Sequence, residues 1–125
     1  MEKPIRLEET EDTPKVVLDR SGHIFEISGK SMPEDAFKFY DPIQKWIEEY
    51  AKNPNDSTEL HIKLEYFNSK SLKQILRILI KLELIAKAGK HIRVIWFYDN
   101  EDELMQIKGE EIKSIIRIPF DFIAY

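Results

Sequence analysis

Two short runs near the start of the chain have the residue types of paired β-strands. Residues 15–19 and 23–28 are rich in β-branched and aromatic side chains, and Arg20, Ser21 and Gly22 separate them. A three-residue connection that contains glycine is typical of a hairpin. The pattern therefore predicts two antiparallel strands.

Three later runs also predict strands. Residues 57–67 alternate between apolar and polar positions, as a strand with one covered face does. The side chains expected to point inward are Leu60, Ile62, Leu64 and Tyr66. Residues 91–99 are almost continuously apolar, which indicates a central strand covered on both faces. A last strand is expected over residues 116–123, at an edge or with a bulge, because Pro119 has no amide hydrogen to donate.

A first helix is predicted after the hairpin. Ser31 stands in a capping position, Pro33 and Glu34 lie in the first turn, and Pro42 is expected to kink or restart the helix. Its apolar face comprises Phe39, Ile43, Trp46, Ile47 and Tyr50. The aromatic residues Phe37, Phe39, Tyr40 and Trp46 are expected to face the core rather than to form a binding platform.

Two further segments have the apolar spacing of helices. The second helix is predicted over residues 69–88, with Gly89 at its C-terminal cap. Its three-and-four spacing is carried by Leu72, Ile75, Leu76, Leu79, Leu82 and Ala86. The apolar surface is widened by Ile78, Ile80, Leu84 and Ile85. The third helix is predicted over residues 101–115.

The predicted order of elements is β-β-α-β-α-β-α-β. Helical connections favour parallel pairing through right-handed crossovers, whereas the initial hairpin is antiparallel. The expected fold class is therefore α/β, a single domain over residues 1–125 with a mixed β-sheet and packed helices. Residues 1–13 are acidic and are expected to form a loosely ordered N-terminal lead.

Composition limits the partners and the compartment. Lys and Arg number 19 against 23 Asp and Glu, and a net charge of −4 gives no general reason to bind nucleic acid or anionic membranes. The chain has no cysteine, which excludes disulfides and fits a reducing cytoplasm. Charged residues interrupt the most apolar stretch, residues 72–88, and no apolar signal segment is visible. We expect a cytoplasmic protein without membrane insertion.

The stretch LEYFNSKS, residues 64–71, places polar side chains between a predicted strand and the second helix. Asn68, Ser69 and Ser71 can accept hydrogen bonds from free amides at a helix start, and capping is the interpretation that the residues alone favour. The alternative is a serine nucleophile on a strand-turn-helix elbow. The glycines of GxSxG are missing and no histidine is suitably spaced, so no catalytic residue is assigned.

Two charged patterns have alternative interpretations. The acidic residues Asp99, Glu101, Asp102 and Glu103 either hold magnesium or serve the third helix, with Asp99 or Asn100 as its cap. Capping is favoured, and the histidines lack metal-ligand spacing, so neither a metal nor a cofactor is predicted. The second helix carries a basic stripe that is either a solvated face or a docking surface for an acidic partner. This stripe comprises Lys70, Lys73, Arg77 and Lys81.

Short motifs spread over nearly the whole chain resemble the SiaC family, small bacterial regulatory phosphoproteins with a STAS-like fold. The motifs are DTP around Thr13, GKSMPE (29–34), FYDP (39–42), LEYFNS (64–69), AGK (88–90), WFYDNED (96–102) and PF (119–120). The resemblance implies a single SiaC-like domain that acts as a phosphorylation-controlled partner switch rather than as an enzyme.

The resemblance also implies partners and site residues. A serine/threonine kinase of the histidine-kinase-like ATPase type modifies a hydroxyl after the Tyr-Phe-Asn run, and a serine/threonine phosphatase reverses the modification. The unmodified form binds a client, in some members a diguanylate cyclase, which connects the family with cyclic di-GMP signalling and biofilm regulation. The implied acceptor is Ser69, where the family usually has threonine followed by serine, and Ser71 is the alternate acceptor. The implied partner-binding residues are Asn68, Ser69, Lys70, Lys73 and Arg77. A small hydrolase, a metal-dependent enzyme and a constitutive binding module remain as alternatives.

Overall fold

Residues 2–125, the part of the chain that the computed structural model describes, form a six-stranded sheet and three helices. The strands are β1 Ile5–Leu7, β2 Lys15–Asp19, β3 Ile24–Ser31, β4 Ser57–Phe67, β5 His91–Tyr98 and β6 Phe120–Ala124. The helices are α1 Ala36–Tyr50, α2 Ser69–Lys87 and α3 Glu103–Ile115. Strand order in space follows the sequence. The first three strands pair antiparallel and the last four pair parallel, so the predicted mixed α/β sheet is confirmed.

Sequential strand order places the helices on one face of the sheet, because right-handed crossovers that all step in the same direction return along the same side. The buried alternation agrees: in β4 Leu60, Ile62 and Leu64 are buried, whereas Glu59 and Lys63 are exposed. The other face carries ion pairs between strands, and β5 is only partly covered there, contrary to the sequence prediction. On that face of β5 Ile95 is buried, but Arg93 is exposed and its Nε lies 2.6 Å from Asp121.

The N-terminal segment is more ordered than expected. β1 lies within the predicted loose lead and pairs with β2, with Ile5 opposite Leu18. The indole nitrogen of Trp46 donates to the carbonyl of Lys3 over 2.7 Å, which ties this segment to α1. A strand of three residues is too short for its alternation to be recognised, so only the pairing identifies it. Met1 lies outside the described residues.

A register shift corrects the predicted inward face of β4. Gly29 pairs with Leu64 but Lys30 pairs with Tyr66, so Glu65 has no partner on β3. Gly29 has a φ of +101°, a value that glycine adopts readily. Because one residue is inserted, Tyr66 turns outward and is 46% exposed, and Phe67 takes the buried position.

Three helix and strand starts also differ from the prediction. The cap of α1 is Asp35, whose side chain accepts from the Lys38 amide, whereas Ser31 ends β3. The cap of α3 is Asp102 rather than Asp99 or Asn100. β6 is an edge strand as expected, but it begins only after Pro119. Pro42 lies inside α1, which continues through it.

The bounds predicted for α2 agree with the structure to one residue. Its buried face contains Ile75, Ile78, Leu79, Leu82 and Ile85, while Leu72 and Leu76 are partly buried. Ile80 and Leu84 are instead 51% and 60% exposed, so they do not widen the buried surface as predicted. None of the helices within residues 2–125 is long and apolar enough to cross a membrane.

Candidate functional site

The LEYFNSKS stretch lies at the carboxyl end of β4, where the parallel strands β3 and β5 also end. Open α/β sheets place functional groups at this edge, because loops and helix starts meet there. Ser69 is the first residue of α2. The site is therefore the corner between β4 and α2.

Asn68 is the residue that caps α2. Its backbone is extended, with φ −92° and ψ 174°, and its side-chain oxygen accepts from the Ser71 amide over 2.9 Å. Its own amide donates to the carbonyl of Ser31 over 3.2 Å. Capping is therefore confirmed for Asn68, and Ser69 is not needed for it. Within residues 2–125 the Ser69 hydroxyl has no hydrogen-bond partner, and the residue is exposed.

Ser71 has the opposite environment. It is fully buried, and its Oγ accepts from the Ser31 hydroxyl over 2.9 Å. The Ser31 oxygen also lies 2.6 Å from the Tyr40 hydroxyl. An enzyme that modifies the Ser71 hydroxyl would therefore require local opening of the fold.

Tyr40 makes part of the stability dependent on pH. Burial raises the pKa of Tyr40 to about 12, from an ordinary value of 10.0. The folded state therefore favours the neutral phenol. Its contribution is fully present below pH 10, the unfolded value, and is lost as pH rises towards about 12.

We expect the free energy of unfolding to fall by about 2 to 3 kcal/mol more in the natural protein than in Tyr40→Phe when pH is raised across this window. Urea unfolding of both proteins at about pH 9 and about pH 12 measures the difference. Equal losses in the two proteins would contradict the assignment to Tyr40.

Within residues 2–125, no histidine lies where it could activate Ser69. His23 lies in the β2–β3 turn, His91 begins β5 at the opposite end of the sheet, and His61 lies on the helix-free face beside Glu59. A serine nucleophile requires a base within hydrogen-bond reach. The three histidines are therefore all misplaced for activating Ser69.

Two carboxylates of the acidic loop accept hydrogen bonds from backbone amides. Asp99 accepts from the Glu101 amide over 2.9 Å, and Asp102 accepts from the Met105 amide over 3.0 Å. Among the described residues no group of three or more His, Cys, Asp or Glu side chains is arranged to hold a metal ion. The loop is thus explained by the start of α3.

The predicted basic stripe is divided in the structure. Lys70 and Lys73 line an open groove between α2 and residues 34–39 at the start of α1. Arg77 is exposed and donates to the side-chain oxygen of Gln74 over 3.3 Å. Lys81 instead turns towards α1, where its Nζ lies 2.6 Å from Gln44 and 2.9 Å from Glu48. Only the first three cations are available to a partner.

Sequence reasoning missed an apolar component of this edge. Five large apolar side chains in the segments at this edge are exposed. Met32 and Phe37 follow β3, Tyr66 lies near the end of β4, and Leu104 and Ile107 lie in the first two turns of α3, which follows β5. We call them the apolar rim. Phe37 is 61% exposed, contrary to the prediction that it faces the core. Its place one residue after the start of α1, outside the spacing of the apolar face, is the pattern that could have identified it.

A small α/β protein with an accessible serine at a helix start, beside a basic and apolar edge, has the features of a regulatory phosphoprotein. The family model described as SiaC family regulatory phosphoprotein matches residues 7–125. The chain belongs to the SiaC family.

Relatives agree with this assignment. An uncharacterized protein of Pseudomonas aeruginosa (strain UCBPP-PA14) is 27% identical over 116 residues, which cover 93% of this chain and 92% of that protein. SiaC of Pseudomonas aeruginosa has the same fold, with a TM-score of 0.89, 24% identity, and coverage of 99% of this chain and 100% of that one. SiaC in the crystal structure of the diguanylate cyclase SiaD with its activator SiaC gives a TM-score of 0.90 at 25% identity, covering 97% of this chain and 99% of that one.

Proposed function

We propose that this chain, acting as one domain over residues 1–125, is a non-enzymatic activator whose binding to a client protein is controlled by phosphorylation of Ser69. The observation that carries the proposal is the contrast between two serines at one helix start. Ser69 is exposed with a free hydroxyl, and Ser71 is buried and hydrogen-bonded. A hydroxyl that must be modified and demodified has to be reachable by two enzymes, and Ser69 meets that condition.

The proposed client is a diguanylate cyclase, because the related SiaC of Pseudomonas aeruginosa is the activator of the diguanylate cyclase SiaD. The proposed modifying enzymes are a serine/threonine kinase of the histidine-kinase-like ATPase type and a serine/threonine phosphatase. Both enzymes and the client would meet the protein in the cytoplasm, where ATP is available to the kinase.

The client surface has two parts in this proposal. The basic part consists of Lys70, Lys73 and Arg77 beside Asn68 and Ser69, and it favours an acidic partner surface by charge complementarity. The other part is the apolar rim, which supplies area that a partner can bury. A phosphoryl group on Ser69 would add about −1.5 to −2 charge beside the basic part.

Phosphorylation of the natural protein, Ser69→Ala and Ser114→Ala tests the proposal. The three proteins are incubated with the cognate kinase and ATP, and the products are analysed by intact mass and fragment mapping. We expect one phosphate on Ser69 in the natural protein and in Ser114→Ala, whose substituted serine is exposed in the last turn of α3.

Ser69→Ala is expected to remain unmodified. Absence of phosphate from residue 69 of the natural protein, in the presence of an active kinase, would remove the switch and leave a constitutive binding module.

A further inference from the structure

Three buried hydroxyl groups form a chain beneath the Ser69 corner. The Ser31 oxygen lies 2.6 Å from the Tyr40 hydroxyl and 2.9 Å from the Ser71 oxygen. All three residues are fully buried. We call this set the hydroxyl chain. It joins the end of β3, the second turn of α1 and the first turn of α2.

The direction of the hydrogen bonds follows from the number of hydrogens. Ser31 donates its single hydroxyl hydrogen to Ser71, so the phenol of Tyr40 must donate to Ser31. Burial keeps the phenol neutral and therefore able to donate, since the pKa of Tyr40 is raised to about 12. The order is thus Tyr40 to Ser31 to Ser71.

The same residues hold the backbone on both sides of Ser69. The Asn68 amide donates to the Ser31 carbonyl over 3.2 Å, and the Ser71 amide donates to the Asn68 side chain over 2.9 Å. Ser69 and Lys70 lie between these two fixed amides, and both residues are exposed. Buried, mutually satisfied hydroxyls favour one arrangement because each unpaired alternative loses a hydrogen bond.

We propose that the hydroxyl chain positions Ser69 for phosphorylation and selects it over Ser71. Ser31, Tyr40 and Ser71 are positioning residues that do not contact the kinase. With the chain intact, Ser71 is withdrawn from solvent, and the backbone that carries the exposed Ser69 side chain is held in place. This proposal rests on the proposed function, in which Ser69 is the acceptor.

The effect of the hydroxyl chain on the backbone beside Ser69 is tested without a kinase, by amide hydrogen exchange. Tyr40→Phe keeps the ring and removes the donor, and Ser31→Ala removes the central hydroxyl. Tyr50→Phe is the matched control, because Tyr50 is a fully buried tyrosine of the same helix whose hydroxyl lies 2.6 Å from Thr58, near the other end of α1. We expect exchange at the Asn68 and Ser71 amides to rise by roughly two- to tenfold in Tyr40→Phe and Ser31→Ala. The control should leave these two amides unchanged.

The effect of the hydroxyl chain on phosphorylation is tested with the same variants and the kinase. We expect Tyr40→Phe to lower kcat/KM for Ser69 severalfold and to place a measurable share of phosphate on Ser71, while Tyr50→Phe behaves as the natural protein at a similar melting temperature. Faster exchange with an unchanged rate and no phosphate on Ser71 would overturn the inference and leave the proposed function standing. Unchanged exchange at both amides in Tyr40→Phe would also overturn it, and this isosteric variant decides the question if Ser31→Ala does not fold. A natural protein that takes no phosphate on Ser69 would refute the proposed function, and the inference with it.

Discussion

Replacing Ser69 by aspartate is expected to weaken client binding by at least about tenfold and to leave the melting temperature nearly unchanged. The small effect on stability follows from the position of Ser69, which is exposed and makes no side-chain hydrogen bond within residues 2–125. Asn68 already caps α2. A negative charge in the first turn also interacts favourably with the helix dipole by roughly 0.3 to 1 kcal/mol.

The large effect on binding has a different cause. In the proposed complex the Ser69 corner is covered by the client, and a charge buried without a designed partner costs several kcal/mol. Lys70 and Lys73 reduce this cost only if they leave the acidic groups of the client that they would otherwise bind. Loss of the interface therefore outweighs any gain in helix stability.

Calorimetric titration of the client with Ser69→Asp, Ser69→Asn and Ser69→Ala measures the effect. Asparagine is the matched control, because it has the size of aspartate without the charge. We expect binding to be retained by the asparagine and alanine variants and reduced in the aspartate variant. Equal affinities of the aspartate and asparagine variants would contradict a charge-based block. A large fall in melting temperature for Ser69→Asp would indicate local unfolding instead.

Truncation of Leu79 to alanine is expected to lower the free energy of unfolding by about 2 to 5 kcal/mol. Leu79 is fully buried on the face of α2 that packs on the sheet, so the substitution removes its packing contacts and leaves a cavity. Leu76 is only partly buried, although the sequence places it in the same apolar spacing as Leu79, and its truncation should cost less than that of Leu79. Ile80→Ala is the matched control on the same helix, because Ile80 is 51% exposed.

Urea unfolding with comparison of midpoints at constant slope gives these differences, and Lys73→Ala should lie within about 0.5 kcal/mol of the natural protein. Equal losses for Leu79→Ala and Ile80→Ala would show that the buried face of α2 is assigned wrongly.

The local pattern of apolar and polar residues was sufficient to predict much of the secondary structure of this protein. The alternation of residues 57–67 identified β4 with its observed bounds, and the three-and-four spacing identified α2 to within one residue. Both patterns extend over many residues, and in each the apolar positions recur with the period of a strand or of a helix. The short motifs spread over nearly the whole chain likewise identified the family from sequence.

Other features depended on contacts between distant residues. β1 exists because it pairs with β2, and Tyr66 faces outward because a register shift at Gly29 inserts one residue into β4. Lys81 leaves the basic stripe because it meets Glu48 on α1. Local spacing in the sequence cannot predict these features, because each one requires a contact between two segments that approach each other only after folding.

The distinction between the two serines shows the limit most directly. Ser69 and Ser71 are both polar residues in the first turn of one helix, and the sequence determined that turn, its cap region and its place after a strand. Only the tertiary structure decided which hydroxyl stays accessible, because Ser71 is buried and accepts from Ser31, a residue 40 positions away in the chain. Hydrophobic periodicity reports which side of a helix is buried, whereas the burial of a small polar side chain depends on a matching donor from another element.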